Sequence, residues 1–353
     1  MHSRFCLIIL FLSLAALLGA CATPYKYPQN PAQATPALYH DYAVMDDGYR
    51  LPVRQWGNPE TSVATVLAIH GLNDYSRGFE STGSYLAEQQ LTLLSYDQRG
   101  FGSTAGHGYW HGSQRMIDDS LIMLKLLQQK YPAKPVFLLG ESMGGAIVLA
   151  SLHQQYHESG NTIAGAVLIA PAIWSRQWMP WYQRALLWLA AHTAPAKPLT
   201  GEGLDLKPSD NIEMLQAMGR DPLVIKATRV DVLYGVTNLM DLATRTTTDY
   251  KLPVLILYGK HDRIVPREPT CEWLHILPNE NKAMREIIIY EHGYHMLNRD
   301  LQAQNVLDDI TRWVKNISNH TVGNDEYSLS SFHNEDKYNS VDEFCTGVVS
   351  SVP

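Results

Sequence analysis

The residue best placed to do chemistry in this 353-residue chain is a serine between two glycines. The segment Gly140-Glu-Ser-Met-Gly144 matches the pattern G-x-S-x-G, and the apolar run 136–139 precedes it. A strand that turns sharply into a helix at such a segment strains the serine and exposes its hydroxyl, which requires small neighbours. The pattern therefore predicts that Ser142 is a nucleophile.

A serine hydroxyl becomes reactive when a base takes its proton and a carboxylate orients that base. In chains with this strand–turn–helix pattern the order along the sequence is serine, acid, histidine. His295 follows the last predicted strand, and His292 competes with it there. Asp262 follows the apolar run 254–258, and Glu268 is its rival. We predict His295 as the base and Asp262 as the acid.

Two backbone N–H groups are needed to stabilise the negative charge that develops on a carbonyl oxygen. One is expected at Met143, directly after the nucleophile, where a helix N-terminus also favours negative charge. The other is expected at Leu72, because the apolar run 66–69 passes through His70-Gly71 into a loop. Asn73 is the alternative donor in that loop.

Short apolar runs that alternate with helical patterns must position these residues. The runs are rich in Val, Leu and Ile rather than alternating, which is typical of strands covered on both faces. They lie at 63–69, 92–96, 136–139, 165–169, 254–258 and 286–290, and the helical patterns lie at 113–130, 143–155 and 302–316. This order predicts an α/β fold with a mostly parallel central sheet flanked by helices. The alternation stops over 174–248, which we interpret as a helical cap inserted between two strands.

Several motifs together resemble the α/β hydrolases of the monoacylglycerol lipase and lysophospholipase group, over residues 39–315. They are His70-Gly-Leu-Asn-Asp74, Asp97-Gln-Arg-Gly-Phe-Gly-Ser103, Gly140-Glu-Ser-Met-Gly-Gly145, Asp221-Pro-Leu223, Gly259-Lys-His-Asp-Arg-Ile-Val265 and Gly293-Tyr-His295. The resemblance implies the α/β-hydrolase fold, the same triad and backbone donors as above, and a cap over the active site. It also implies cleavage of lipid-like carboxylic esters.

Aromatic residues are concentrated at the beginning of the expected cap. Trp174, Trp178 and Trp181 recur at helical spacing, which places them on roughly one face of a helix. That face either packs the cap on the core or lines an acyl-chain route and contacts lipid. We take the three tryptophans as candidate substrate-binding residues.

The N-terminus has the layout of a secretory signal. Arg4 precedes the almost wholly apolar stretch 5–18, and Leu18-Gly-Ala-Cys21 closes it with small residues. This ending resembles the lipobox of bacterial lipoproteins, in which the cysteine is acylated. An uncleaved membrane anchor and an ordinary cleaved signal are the alternatives. We expect a signal peptide over 1–20, lipidation of Cys21, and a place in the bacterial cell envelope, in the outer membrane facing the periplasm.

Three further segments follow the signal. A Pro-rich tether is expected over 21–38 and the hydrolase domain over 39–318. From 319 to 353 six acidic residues stand against one lysine, and we expect this tail to be disordered. Cys271 and Cys345 could pair in an oxidising periplasm, but because Cys345 lies in that tail, we expect two unpaired thiols.

Composition narrows the possible partners. The formal net charge of −7 argues against binding to nucleic acid, which needs a basic surface. No cluster of His, Cys and Asp has the spacing of metal ligands, so no metal and no cofactor is expected. The expected partners are a lipid-like ester substrate and a membrane, and the chain is expected to be a monomer or a weak dimer.

The residues and the resemblance predict a serine hydrolase that cleaves carboxylic esters through an acyl-enzyme. Its substrate is expected to be a monoacylglycerol or a lysophospholipid. The alternatives are a short-chain carboxylesterase, a peptidase on the same scaffold, and a surface lipoprotein without enzymatic activity.

Overall fold

A computed structural model describes residues 23–158, 163–203, 206–246, 252–278, 284–323 and 341–348. Nine strands of this part of the chain form one sheet, in the order β1-β2-β3-β5-β4-β6-β7-β10-β11. They are β1 (Ala37–Leu38), β2 (Tyr42–Val44), β3 (Arg50–Trp56), β4 (Ala64–Ile69), β5 (Leu91–Tyr96), β6 (Val136–Glu141), β7 (Gly165–Ile169), β10 (Val254–Gly259) and β11 (Arg285–Tyr290). Neighbours from β5 to β11 pair in parallel, and β1, β2 and β3 pair antiparallel at one edge. The predicted parallel sheet is confirmed.

Helices cover both faces of the sheet. They are α1 (Glu80–Glu88), α2 (Ser113–Lys130), α3 (Met143–Glu158), α6 (Val230–Thr246), α7 (Arg267–His275) and α8 (Ala303–Gly323). Successive residues of β4 face opposite layers: Leu67 and Ile69 join one apolar cluster, whereas Val66 and Ala68 join the other. This double covering explains why the strand sequences are continuously apolar instead of alternating.

The cap lies between β7 and β10 and is smaller than predicted. It contains α4 (Trp181–Thr193), α5 (Ile212–Arg220) and a two-stranded ribbon of β8 (Pro198–Leu199) and β9 (Thr228–Arg229). The interval 174–248 also included α6, but α6 packs against α3, and Val232, Val236 and Leu239 join the main core. α6 therefore belongs to the helical layer of the sheet, because its apolar face is buried there.

The N-terminal segment differs from the expected free tether. Residues 23–36 form no helix or strand, but Tyr27 N–H donates to the Trp110 carbonyl (2.9 Å) and Gln29 Nε2 to the His111 carbonyl (2.6 Å). Further along, the N–H groups of residues 33 and 34 both donate to the Asp46 carbonyl, at 2.8 and 2.7 Å. Proline-rich backbone has no internal hydrogen bonds, so its N–H groups are available to the body. Residues 27–34 thus form a strap on the domain; 1–22 lie outside the described residues.

The C-terminal segment is a second difference. Cys271 of α7 and Cys345 form a disulfide, so the prediction of two unpaired thiols is wrong. Cys345 ends a short helix, α9 (Val341–Cys345), whose Phe344 is buried against the domain. The expectation of a disordered tail is therefore wrong for 341–348. The disulfide and the burial of Phe344 hold this segment to the domain, which the composition of the tail does not reveal. Residues 324–340 and 349–353 lie outside the described residues, and α8 runs past the expected domain end at 318.

None of the helices within the described residues is long and apolar enough to cross a bilayer. Within the same ranges, no group of three or more His, Cys, Asp or Glu side chains is arranged to hold a metal ion.

Candidate active site

The candidate nucleophile lies in a sharp turn between a strand and a helix. β6 ends at Glu141 and α3 begins at Met143, which leaves Ser142 alone in the turn with a φ of 54°. Such a left-handed conformation costs a non-glycine residue about 1–3 kcal/mol and persists only where the surroundings enforce it. The neighbouring glycines allow it. A Cβ on Gly144 would lie 1.9 Å from the Ile69 carbonyl oxygen, and one on Gly140 would lie 2.4 Å from that of Gly144.

The predicted base and acid lie after adjacent strands and touch each other. His295 follows β11 and Asp262 follows β10, and His295 Nδ1 is 2.8 Å from Asp262 Oδ2. The other carboxylate oxygen of Asp262 accepts the N–H groups of Ile264 (2.8 Å) and Val265 (3.1 Å). Both carboxylate oxygens of the acid are thus held by hydrogen bonds, and His295 Nε2 is the ring nitrogen left for proton transfer.

Close packing of two glycines holds the acid loop against the base loop. A Cβ on Gly259 would lie 2.4 Å from the carbonyl carbon of Gly293, so neither loop tolerates a side chain at this crossing. The N–H of His261 donates to the Gly293 carbonyl (2.9 Å). The rivals named from the sequence, His292 and Glu268, are both exposed. The hydrogen-bonded pair is therefore His295 with Asp262.

The charge environment of His295 favours the protonated ring. Burial by itself lowers the pKa of His295, but attraction and hydrogen bonding from Asp262 outweigh it, and Glu141 adds to the rise. Arg299 acts in the opposite direction. The net result is a pKa above the ordinary value of histidine. A base with this pKa is poised to accept a proton from serine and to stabilise the imidazolium that results.

The loop after β4 approaches the nucleophile at Gly71, where a Cβ would lie 3.3 Å from the Cβ of Ser142. Leu72, the predicted first donor, follows directly in that loop. Met143, the predicted second donor, is the first residue of α3, and the first N–H groups of a helix have no intrahelical partner. Met143 thus follows Ser142 directly, and Leu72 follows Gly71, which lies against the Ser142 side chain.

His70 and Asn73, which flank Gly71-Leu72, have other roles. The buried ring of His70 receives the Gln98 N–H at Nε2 (3.0 Å), and its Nδ1 lies 2.8 Å from the Gly71 carbonyl. Burial lowers the pKa of His70, so the ring braces the loop in its neutral form. Asn73, the alternative donor, has a φ of 67°, and its Nδ2 donates to Thr228 Oγ1 (2.7 Å). Its side chain therefore ties the loop to the cap.

The three candidate tryptophans of the cap do not share one face. Trp174 is half-buried, Trp178 packs against the main core, and the side chain of Trp181 is 73% exposed. The expectation of a common helical face is wrong, because residues 174–180 are not helical and α4 begins only at Trp181, after Pro180. Instead α4 exposes a set of large apolar side chains, namely Trp181, Tyr182, Leu186, Trp188 and Leu189.

An arginine close to His295 was missed by the sequence analysis. Arg299 donates from Nη1 to Asp74 Oδ2 and from Nη2 to Glu141 Oε1, both at 2.7 Å. Asp74 and Glu141 belong to motifs that the sequence analysis singled out, but nothing in the sequence pairs them with this arginine. Their separations of 225 and 158 residues leave no local signal.

Known proteins resemble this chain over most of its length. The family model described as serine aminopeptidase, S33, matches residues 60–302. The chain is 28% identical to human monoglyceride lipase over 312 residues, covering 83% of this chain and 94% of the relative. It is 23% identical to the monoacylglycerol lipase of Mycolicibacterium smegmatis over 281 residues, covering 78% and 96%.

Solved structures give the same picture at the level of the fold. The crystal structure of Paleococcus ferrophilus monoacylglycerol lipase superposes with a TM-score of 0.61 at 22% identity, covering 76% of this chain and 99% of that one. The family match covers most of the described domain and includes the strained serine, the acid and the base. The chain therefore belongs to the serine aminopeptidase S33 family of α/β hydrolases, and it is an ester hydrolase.

Proposed function

We propose that this protein hydrolyses the ester bond of a monoacylglycerol-like lipid, with Ser142 as nucleophile, His295 as base and Asp262 as acid. One observation carries the assignment of the site: His295 Nδ1 bonds to Asp262 Oδ2 (2.8 Å) at the end of the sheet where Ser142 occupies its strained turn. The substrate class is supported by the relatives named as monoglyceride lipases.

The reaction takes two half-reactions. Ser142 Oγ attacks the ester carbonyl carbon while His295 Nε2 takes the hydroxyl proton. Negative charge moves to the carbonyl oxygen, where the N–H groups of Leu72 and Met143 stabilise it. The imidazolium then gives its proton to the departing alcohol oxygen as the ester bond breaks. In the second half-reaction His295 Nε2 takes a proton from water as the water oxygen attacks the acyl carbonyl carbon, and it passes that proton to Ser142 Oγ as the carboxylic acid leaves.

A panel of substrates tests the proposal. We expect the purified domain to hydrolyse 1-monooleoylglycerol with a higher kcat/KM than p-nitrophenyl butyrate or lysophosphatidylcholine. A preference for butyrate would support the short-chain carboxylesterase alternative. Cleavage of alanine p-nitroanilide in preference to every ester would support the peptidase alternative, and a chain inactive on the whole panel would contradict the proposal.

Labelling with a fluorophosphonate probe tests the nucleophile separately from the substrate. The wild-type chain should label stoichiometrically, and Ser142→Ala should neither label nor hydrolyse esters. Ser151 offers a matched control, since it is a buried serine of α3 that bonds to Ser120 Oγ (2.6 Å) rather than to the site. Labelling that survives in Ser142→Ala and disappears in Ser151→Ala would contradict the assignment.

We propose further that Cys21 is acylated and that α4 rests on the same membrane of the bacterial envelope. Large apolar patches on a soluble surface mark interaction sites, and α4 exposes five large apolar side chains. The chain just before the strap lies near the cap: Tyr25 packs on Tyr109 (5.3 Å between ring centroids), and the guanidinium of Arg229 in β9 lies 4.7 Å from the same ring. An anchor leaving there would bring the cap towards the bilayer.

The disulfide is consistent with this location, because disulfides persist in oxidising compartments such as the periplasm. Intact-mass measurement of the mature chain tests the anchor, and an unmodified Cys21 would contradict it. The role of α4 is tested in the Cys21→Ser chain. Trp181→Ala with Trp188→Ala should weaken binding to phosphatidylglycerol vesicles, whereas a change in oligomeric state without a change in vesicle binding would make α4 an interface between two copies.

A further inference from the structure

A buried group of three charges lies behind the candidate active site. The Arg299 guanidinium binds the carboxylates of Asp74 and Glu141, each at 2.7 Å. The exposed fractions of the three side chains are 7% for Arg299, 6% for Asp74 and 3% for Glu141. Hydrogen bonds to ionised groups at this distance are short and strong, and they fix the positions of both partners.

Each member of this group comes from a different catalytic segment. Asp74 lies two residues after Leu72, in the loop with the first predicted oxyanion donor. Glu141 is the last residue of β6 and directly precedes Ser142. Arg299 lies four residues after His295, in the short helical turn Leu297–Arg299. One guanidinium therefore connects the loops of the nucleophile, the oxyanion donor and the base.

Further contacts fix Asp74 and Arg299 in place. The second oxygen of Asp74 accepts the Tyr75 N–H (2.8 Å). Gly78 leaves room for the pair, because a Cβ there would lie 2.6 Å from Asp74 Oδ2 and 3.1 Å from Arg299 Nη1. The Arg299 carbonyl accepts Asn211 Nδ2 at the beginning of α5 (2.9 Å). The arginine is thus held by the cap as well as by the two carboxylates.

Stability is not the only role that such a group can have. Burying three charges carries a large desolvation penalty, and well-packed apolar residues of similar volume often replace buried ion pairs without loss of stability. What an apolar cluster cannot supply is a fixed distance and direction between particular loops. Near-attack geometry needs that fixity, since a displacement of about 1 Å costs on the order of 100-fold in rate.

We propose that Arg299 is a positioning residue that holds the turn of Ser142, the oxyanion loop and the base loop in register for catalysis. The proposal rests on the proposed function, because it assigns to those loops the roles given above. Arg299 acts through Asp74 and Glu141 and takes no part in bond making.

The same charges also act on the base. The pKa of His295 is therefore a readout that would not change if the group were only structural. The charged groups that influence His295 are Asp262 and Glu141, which raise its pKa, and Arg299, which lowers it. Removal of the positive charge should therefore raise the pKa of His295 further. Removal of the negative charge of Glu141 should lower it. The two changes have opposite signs although both break the same ion pair.

The test compares Arg299→Met, Arg299→Lys and Glu141→Gln on soluble p-nitrophenyl butyrate. We expect Arg299→Met to reduce kcat on the order of 100-fold, with KM within about twofold. The acid limb of its kcat/KM profile should move to higher pH, and that of Glu141→Gln to lower pH. Arg299→Lys, which keeps the charge but not the two-pronged geometry, should keep the wild-type limb and recover part of kcat.

Arg99 provides a matched control. It also binds two buried carboxylates, Asp47 and Asp119, and its side chain is 1% exposed, but it lies in a different network. Arg99→Met should lower Tm without moving the acid limb. If Arg299→Met does not fold, the pair Glu141→Gln and Asp74→Asn is read in its place, with the same expectation for Glu141→Gln and a fall in kcat for both.

The outcomes separate this proposal from the proposed function. A wild-type chain that neither labels with fluorophosphonate nor cleaves any ester contradicts the proposed function. A wild-type chain that does both, with kcat and the acid limb unchanged in Arg299→Met and in Glu141→Gln, overturns the positioning role alone. A loss of Tm in Arg299→Met with unchanged kcat would also overturn it, since the group would then serve stability only.

Discussion

Reduction of the disulfide between Cys271 and Cys345 should destabilise the whole domain. The bond joins α7, which begins five residues after Asp262, to the short helix α9. A helix of five residues does not persist in water without tertiary contacts. The Arg267 guanidinium of α7 also bonds to the carbonyls of Phe344 (2.5 Å) and Thr346 (2.6 Å), and Phe344 is buried in the main core. The cross-link adds a covalent attachment to these contacts.

The size of the effect follows from the length of the closed loop. The two cysteines are 74 residues apart, and a loop of this length loses enough unfolded-state entropy to contribute about 4 kcal/mol of stability. For a domain of this size each kcal/mol corresponds to about 2 °C or slightly more in Tm. We therefore expect reduction to lower Tm by about 8–10 °C.

Thermal unfolding of the wild-type chain and of Cys345→Ser, each with and without dithiothreitol, measures this effect. The wild-type Tm should fall with reductant to the value of Cys345→Ser, which should itself not respond. The reasoning would be refuted if the wild-type Tm did not change although a count of free thiols showed complete reduction. A Cys345→Ser chain as stable as the oxidised wild type would refute it as well.

Three further predictions concern the site and the cap. Asp262→Asn should lower kcat about 10,000-fold with Tm nearly unchanged, measured by ester hydrolysis beside thermal unfolding; a loss below tenfold would exclude the acid. Because a neutral base is required and the pKa of His295 is raised, kcat/KM should fall with decreasing pH through a pKa above that of free histidine, and a lower apparent pKa would contradict the charge balance. Trp178→Ala should lower Tm, since Trp178 packs on the core, whereas Trp181→Ala should leave Tm within about 1 °C because its side chain is exposed; equal losses would contradict the placement.

Where a functional residue depends on its neighbours in the chain, the sequence was enough to place it. Ser142 is recognisable because its strained turn needs glycines two residues away on both sides, and an apolar strand and a helix on its flanks. His295 and Asp262 are recognisable because each follows a continuously apolar run that must be a buried strand. The fold class follows from the same runs, whose period and order are local properties.

The prediction that three cap tryptophans share one helical face was wrong, and the reason is again local in the sequence. Tryptophans at helical spacing share a face only if one helix contains them all. Pro180 prevents that, because a proline is not tolerated inside a helix and α4 begins only after it. No local pattern predicts that Trp181 is exposed, because apolar periodicity does not reveal whether another element covers that face of the helix.

The sequence by itself determined the parallel sheet, the serine turn and the residues of the acid and base loops. Only the tertiary structure decided which distant partners meet: Arg299 with Asp74 and Glu141, Cys271 with Cys345, and the strap with the loop after β5. The physical reason lies in the order of the sheet, which places the ends of β4 and β6 side by side and those of β10 and β11 next to each other. Charges and thiols have no periodicity that records a partner far along the chain, so only the folded strands bring them together.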